Sequence, residues 1–264
     1  MREITAQSQP AGKWMAAAAI VPYILPAAVV GAELARAKLS EEWGLFAYFV
    51  ILFGLVFASA ALERKETLQR LCLAVGLLPL MRIAEIGMPI PELSDVYVTL
   101  AVAVPITIGI LTVSRALDLS LPEVGLRSAN LREQLIVGST GLVFGMVGYY
   151  LIEPDGLMTG LSVGRAIVPA IVLIISQGFV TELGFRGVMQ GVAEDLGGWG
   201  WVYVAALYAA FQTGELSVSY GFFMLGIALF WGWIVRVTGT IWGVALSHGI
   251  MSMLMLLILP EVMD

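Results

Sequence analysis

Three apolar stretches in the second half of this chain carry polar side chains that could do chemistry. The first, Thr181-Glu182-Leu183-Gly184-Phe185-Arg186-Gly187, sets a carboxylate four residues before a guanidinium. Glu182, Arg186 and Gln190 recur every four residues, so on a helix they share one face, with Thr181 beside them. The second, Phe211-Gln212-Thr213-Gly214-Glu215, ends on another carboxylate. The third, Ser247-His248-Gly249-Ile250-Met251-Ser252, holds the single histidine of the sequence. A carboxylate and an imidazole brought together can move protons in general acid–base catalysis. Each group also has a purely structural use. Glu182 and Arg186 can be an internal ion pair that holds a helix bundle together, Glu215 can face water, and His248 can bond to a neighbouring helix.

Metal chemistry fits poorly. One histidine and two carboxylates lie on three separate segments, and no tight spacing such as His-Glu-x-x-His is present. Cys72 is the only cysteine, so there is neither a disulfide framework nor a thiolate cluster. No metal and no cofactor is assigned.

The elements that must position these residues are membrane helices. Of 264 residues, 59% are hydrophobic and 13% charged, with a mean hydropathy of +0.91. That is too little charge for the surface of a soluble domain. Apolar runs of about 20 residues recur along the chain, the length needed to cross a bilayer. They are continuous rather than alternating, which predicts helices, so the fold class is an all-α polytopic membrane protein. Nine candidate spans are visible, at 14–34, 43–62, 68–86, 95–117, 134–152, 165–191, 199–214, 218–237 and 240–260. The third and seventh are weakest, because one carries Arg70, Pro79 and Arg82 and the other is short. Eight to nine transmembrane helices are therefore expected. Residues 1–117 read as N-terminal membrane helices with few notable polar groups, 118–133 as a polar connector, and 134–264 as the core that holds every polar group of interest. The polar segment Met1 to Gly12 is not followed by a signal-peptide cleavage site, so the first span is expected to stay.

Under the nine-span reading, the N-terminal side receives eight Lys/Arg residues and the opposite side four, which predicts a cytoplasmic N-terminus. No basic tract suggests nucleic acid, and the net charge of −6 is spread over many loops. The pairs Gly141-xxx-Gly145, Gly187-xxx-Gly191 and Gly239-xxx-Gly243 have the small-xxx-small spacing that lets helices approach closely. Trp14, Trp43, Trp199, Trp201, Trp231, Trp233 and Trp242 fall near span ends, as interfacial aromatics do.

The three polar stretches resemble, in order and spacing, the motifs of the CPBP family of CAAX-prenyl-protease and bacteriocin-processing intramembrane endopeptidases: Glu-Glu-xxx-Arg, Phe-xxx-His and His-xxx-Asn/Asp. Val124-Gly125-Leu126-Arg127 and Thr238-Gly239-Thr240-Ile241-Trp242 are also similar to the family, and the resemblance covers roughly residues 121–255. It implies a CPBP-like helical core in the C-terminal half and an integral protein of a bacterial cytoplasmic membrane. It also implies that the first-motif glutamate and second-motif histidine activate water, and that the last Asn stabilises the oxyanion. Here Thr181 and Glu215 stand at the first two positions and Ser252 at the third, while Glu182, Arg186, Phe211 and His248 are kept. A threonine hydroxyl is no general base at neutral pH.

Two functions follow from that mixture. In one, the protein is a non-proteolytic family member, a pseudoenzyme whose polar intramembrane cavity binds a prenyl, lipid or pigment-like group or a membrane-protein partner, as subunit of a complex; Thr181, Gln190, Phe211 and Ser252 would line it. In the other, it is an active endopeptidase with a rearranged site of Glu182, Arg186, Glu215 and His248, in which burial raises the basicity of a glutamate. Arg186 counts against Glu182 in that role, because a neighbouring cation favours the ionised carboxylate. A transporter ranks last, because no inverted repeat is visible.

Overall fold

The computed structural model describes residues 19–62, 66–158 and 163–263, and within them the chain is helical with no strand. The N-terminal half forms α1 (Val21–Lys38), α2 (Glu41–Ala61), α3 (Glu66–Val75), α4 (Leu77–Gly87) and α5 (Asp95–Ala116). After the connector come α6 (Leu131–Ile152), the long α7 (Gly164–Leu196), α8 (Gly200–Phe211), α9 (Val218–Thr238) and α10 (Trp242–Met263). Among the described residues six helices are long and apolar enough to cross a membrane, namely α2, α5, α6, α7, α9 and α10. This is a polytopic α-helical membrane protein.

The three remaining expected spans depart from full length for local reasons. The first begins in residues outside the described ones, and its helix α1 carries Glu33, Arg36 and Lys38 near its C-terminal end. The third is not one helix. Pro79 has no N–H to offer the carbonyl four residues back, and the chain divides at Gly76 into α3 and α4. The seventh, α8, is 12 residues long and runs into a single 3-10 turn, Thr213–Glu215.

Ends and starts follow ordinary capping chemistry. Asn130 accepts a hydrogen bond from the Arg132 N–H at the start of α6, and Ser217 accepts one from the Tyr220 N–H at the start of α9. Gly239 closes α9 at φ 68°, a left-handed conformation suited to a residue without a side chain. It is thus a helix stop, not the packing contact its spacing suggested.

One buried core runs through both halves of the chain. It joins Leu25 and Val29 of α1, Tyr48 and Leu55 of α2, Leu78 of α4, Phe185 and Val188 of α7, Leu207 of α8 and Trp231 of α9. Large apolar side chains point outward in rows, such as Phe46, Phe53 and Phe57 on α2 and Ile108 and Leu111 on α5. That is the surface a bilayer covers.

The tightest packing holds α10 between α6 and α7. A Cβ placed on Gly141 would stand 2.1 Å from the Ser247 carbonyl oxygen, and one on Gly178 would stand 2.5 Å from that of Ala245. Backbones meet here without intervening side chains, so the turn carrying His248 is fixed in depth and rotation. Gly141→Val is therefore expected to lower the midpoint of thermal unfolding in mild detergent, with a cost of about 1–3 kcal/mol or more from overpacking. Gly54→Ala, where nothing lies within 4 Å, should leave the midpoint unchanged or raise it slightly.

Candidate functional site

Helix α7 is built unusually at the motif. Two stretches of wide i→i+5 winding, Ile174–Val180 and Leu183–Met189, flank Thr181 and Glu182. Wide turns of this kind gather at functional positions, because they re-aim side chains within an otherwise regular helix. The second stretch is buried at every residue.

The Glu182 carboxylate is fully buried, and two partners share it. His248 Nδ1 lies 2.8 Å from Oε1. Arg186 places Nε 3.3 Å from Oε2 and Nη1 3.5 Å from Oε1. The Nε contact is an ion pair rather than an aligned hydrogen bond, since Oε2 has no hydrogen-bond donor. Arg186 and His248 are themselves 2% and 4% exposed, so the whole arrangement is enclosed in the bundle. At such a depth a charge persists only with its partner, which explains why the three residues occur together.

Aromatic rings complete the enclosure. Trp231 stacks on the His248 imidazole at 4.9 Å, and its indole N–H donates to Ser247 Oγ at 3.2 Å. Ser247 is in turn 2.9 Å from the Thr140 hydroxyl of α6. Tyr208 of α8 stands edge-on to the same imidazole, with its hydroxyl 3.4 Å from Nε2, and the Arg186 guanidinium sits 4.4 Å over the Tyr208 ring. A cation over an aromatic face is stabilised more when water is excluded.

The structure thus brings Glu182, Arg186 and His248 together, and extends the cluster to Gln190, whose Nε2 donates to the Gly232 carbonyl at 2.9 Å. Ser252 is buried one turn beyond His248. Phe211 is buried against Phe185 at 5.8 Å. Thr181 is half-buried and opens on a different cavity, of about 160 Å³, together with Glu85, Thr99, Ser176, Gln177 and Phe211. Glu215 is not brought in. It is exposed at the last residue of the turn after α8, because α8 is too short to carry it back into the bundle.

Two groups escaped the sequence reading. Trp231 is wholly buried rather than interfacial, whereas Trp43, Trp199, Trp233 and Trp242 are exposed. The N-terminal half also supplies an ion cluster. The buried Glu33 carboxylate accepts from Tyr48 at 2.5 Å, Arg82 at 2.7 Å and Arg36 at 3.0 Å. Arg82 also pairs with Glu85 at 2.6 Å, donates to the Phe211 carbonyl at 2.7 Å, and lies 3.8 Å over the Phe211 ring. The second motif is therefore anchored by a residue 129 positions away. Arg82 on a weakly hydrophobic segment was the one local hint.

Removing one member of the buried pair leaves its partner charged and uncompensated. Glu182→Leu is expected to cost about 3–5 kcal/mol in thermal or denaturant unfolding in detergent. The double variant Glu182→Leu with Arg186→Met should recover most of that loss, a coupling that additive effects would not give.

Residues 163–254 match the family model described as type II CAAX prenyl endopeptidase Rce1-like. No curated protein and no solved structure matches the chain. The matched stretch runs from the start of α7 to the turn after Ser252 and contains all three polar motifs together with Trp231. Through residues 163–254, less than half of its length, this chain is similar to the Rce1-like family of CAAX prenyl endopeptidases, the group its three polar motifs resemble.

Proposed function

We propose that this protein is a non-proteolytic member of its family that holds a lipid-like group, such as a prenyl or acyl chain, within its helical bundle. The observation that carries this reading is the state of the catalytic positions. The family's water-activating pair would need a carboxylate at 181 and an imidazole at 215, and this chain has a threonine there and an exposed glutamate. The remaining dyad, Glu182 with His248, is sealed by Arg186, Tyr208 and Trp231. Both oxygens of that carboxylate face an arginine or a histidine and 0% of the residue is exposed, which sets Glu182 in a structural ion pair rather than on an open, water-filled site.

The bundle offers a place for an apolar chain. A groove of about 690 Å³ opens between α1, the end of α8 and the start of α9, walled by Pro26, Val30, Leu34, Ala209, Phe222 and Leu225. Lys38, in the last turn of α1, stands at its edge. The volume lies in the range of small-molecule sites, which run to about 300–1,000 Å³. Where the groove faces lipid, no transfer from water drives binding, and a bound chain is held by van der Waals fit to these walls.

A second reading rests on the 2.8 Å contact between His248 Nδ1 and Glu182, which orients the imidazole as catalytic carboxylate–histidine pairs do. In it the protein is an endopeptidase with a rearranged site.

Two measurements separate the readings. The purified protein is expected to leave a prenylated CAAX peptide uncleaved and to retain extractable lipid, and Gly221→Trp, which fills the groove, should reduce the retained lipid several-fold. Cleavage by the parent protein that is lost in His248→Ala would overturn the non-proteolytic reading. Thr181→Glu combined with Glu215→His tests whether these two positions alone account for the loss of catalysis: new cleavage by the folded double variant would show that they do, and continued inactivity is the outcome expected from the exposed place of residue 215. If the parent does cleave, persistence of activity in Glu215→Gln would exclude Glu215 as its base.

A further inference from the structure

The end of the bundle near Gly239 holds a second polar cavity, unrelated to the groove, which lies by the opposite end of α9. It measures about 250 Å³ and is lined by Arg127 of the connector, Arg186, Gln190 and Glu194 of α7, Arg236 of α9, and Glu123. That is several times the ~30 Å³ a water molecule occupies in the liquid.

The lining is under-satisfied. Arg186 and Gln190 are 2% and 1% exposed, yet Arg186 Nη2 and Gln190 Oε1 have no hydrogen-bond partner. The Gln190 amide cannot simply be turned over, because its Nε2 is committed to the Gly232 carbonyl at 2.9 Å. Nearer the opening, Arg127 donates to the Pro122 carbonyl at 2.9 Å and Arg236 donates to the Gly198 carbonyl. Each guanidinium has five N–H donors, so most of these remain uncommitted. Unpaired buried polar atoms are costly, and each calls for a ligand, an ion or water.

Three arginines meet two acids here. Glu123 is already engaged: the Ser120 hydroxyl and backbone N–H both donate to it and hold its carboxyl below the usual range. Glu194 is exposed at the rim. The frame is rigid, since the Ile241 N–H donates to the Gly125 carbonyl at 3.2 Å and the Trp242 indole donates to the Arg127 carbonyl at 3.2 Å.

We propose that this cavity binds a phosphate group that carries a hydrogen-bond donor beside it. Arg186 is its inner cation, Arg127 and Arg236 close on it from the rim, and Gln190 Oε1 with Glu194 accepts the donor. Planar guanidinium groups suit phosphate oxygens through paired N–H donors. Two sources present this chemistry: hydrogen phosphate itself, and a lipid headgroup in which a hydroxyl or ammonium adjoins the phosphate. Because Arg186 also faces Glu182, an occupant here touches the partner of the buried dyad directly.

The test uses the full chain in detergent, freed of phosphate and of added lipid. Inorganic phosphate is titrated against thermal unfolding, with chloride at matched ionic strength as the control. In parallel, native mass spectrometry follows adducts with phosphatidylglycerol and with phosphatidylcholine, whose headgroup lacks an O–H or N–H donor. Saturable stabilisation by phosphate, weakened about tenfold in Arg127→Gln and in Arg236→Gln, supports the site with free phosphate as a source. A phosphatidylglycerol adduct that exceeds the phosphatidylcholine one and is weakened by the same substitutions supports a headgroup source. Both variants alter exposed rim residues and keep the buried pair, and their unfolding midpoints without phosphate are measured beside the parent's so that lost binding is told from lost folding. Absence of both effects, or binding that is indifferent to both substitutions, overturns the proposal.

Discussion

The Glu182 carboxylate, sunk in an apolar bundle and shared by Arg186 and His248, is the constraint around which the rest of the core is arranged. A carboxylate at that depth is tolerated only when its charge is answered within hydrogen-bonding range. The answer comes from two directions. Arg186 arrives from the next turn of the same helix, and His248 arrives from α10. The second partner requires α10 to lie against α7 at one depth, and the glycine contacts at Gly178 and Gly141 provide it. Trp231 and Tyr208 then exclude water from the imidazole, which strengthens every interaction inside. Chemistry-bearing residues and close-packing residues are thus one design.

A parallel arrangement governs the N-terminal half. Glu33 gathers Tyr48, Arg36 and Arg82, and Arg82 reaches the Phe211 carbonyl. Ion pairing in α1, α2 and α4 therefore fixes the end of α8, which belongs to the matched family segment. The five N-terminal helices are not spectators laid beside a finished core; one hydrophobic cluster continues from Leu25 to Met255. In energetic terms the two halves share both their apolar interior and their buried charges.

Much of this was legible in the sequence, for identifiable reasons. Hydropathy runs reported the helices because lipid enforces length and composition together, and the three polar motifs stood out because charge is rare in such runs. What was hidden depended on tertiary register. Trp231 and Trp233 differ by two residues in one helix, yet one is wholly buried on His248 and the other half exposed; no local pattern separates them. Arg82 and Phe211 meet across 129 positions without any shared motif. Glu215 looked like a cavity residue by its spacing from Phe211, but a 3-10 turn with Leu216 at φ 56° carries the chain out toward the surface. Gly239 matched a packing spacing and turned out to be a helix stop.

The wide winding of α7 has one more consequence, concerning how the chain tolerates changes of length. An i→i+5 turn accommodates more residues per turn than an α-turn, so Ile174–Val180 and Leu183–Met189 each hold slack in the winding. Loss of one residue there can be absorbed by tightening a single turn into ordinary α-helix, while the start of α7 keeps its place against α5 and α10 and its end against α3 and α8. The same loss in a regular span such as α9 would rotate everything beyond it by about 100°. Helix α7 is therefore the span in which chain length and position in the bundle are least tightly tied, and it is also the one that carries the buried carboxylate.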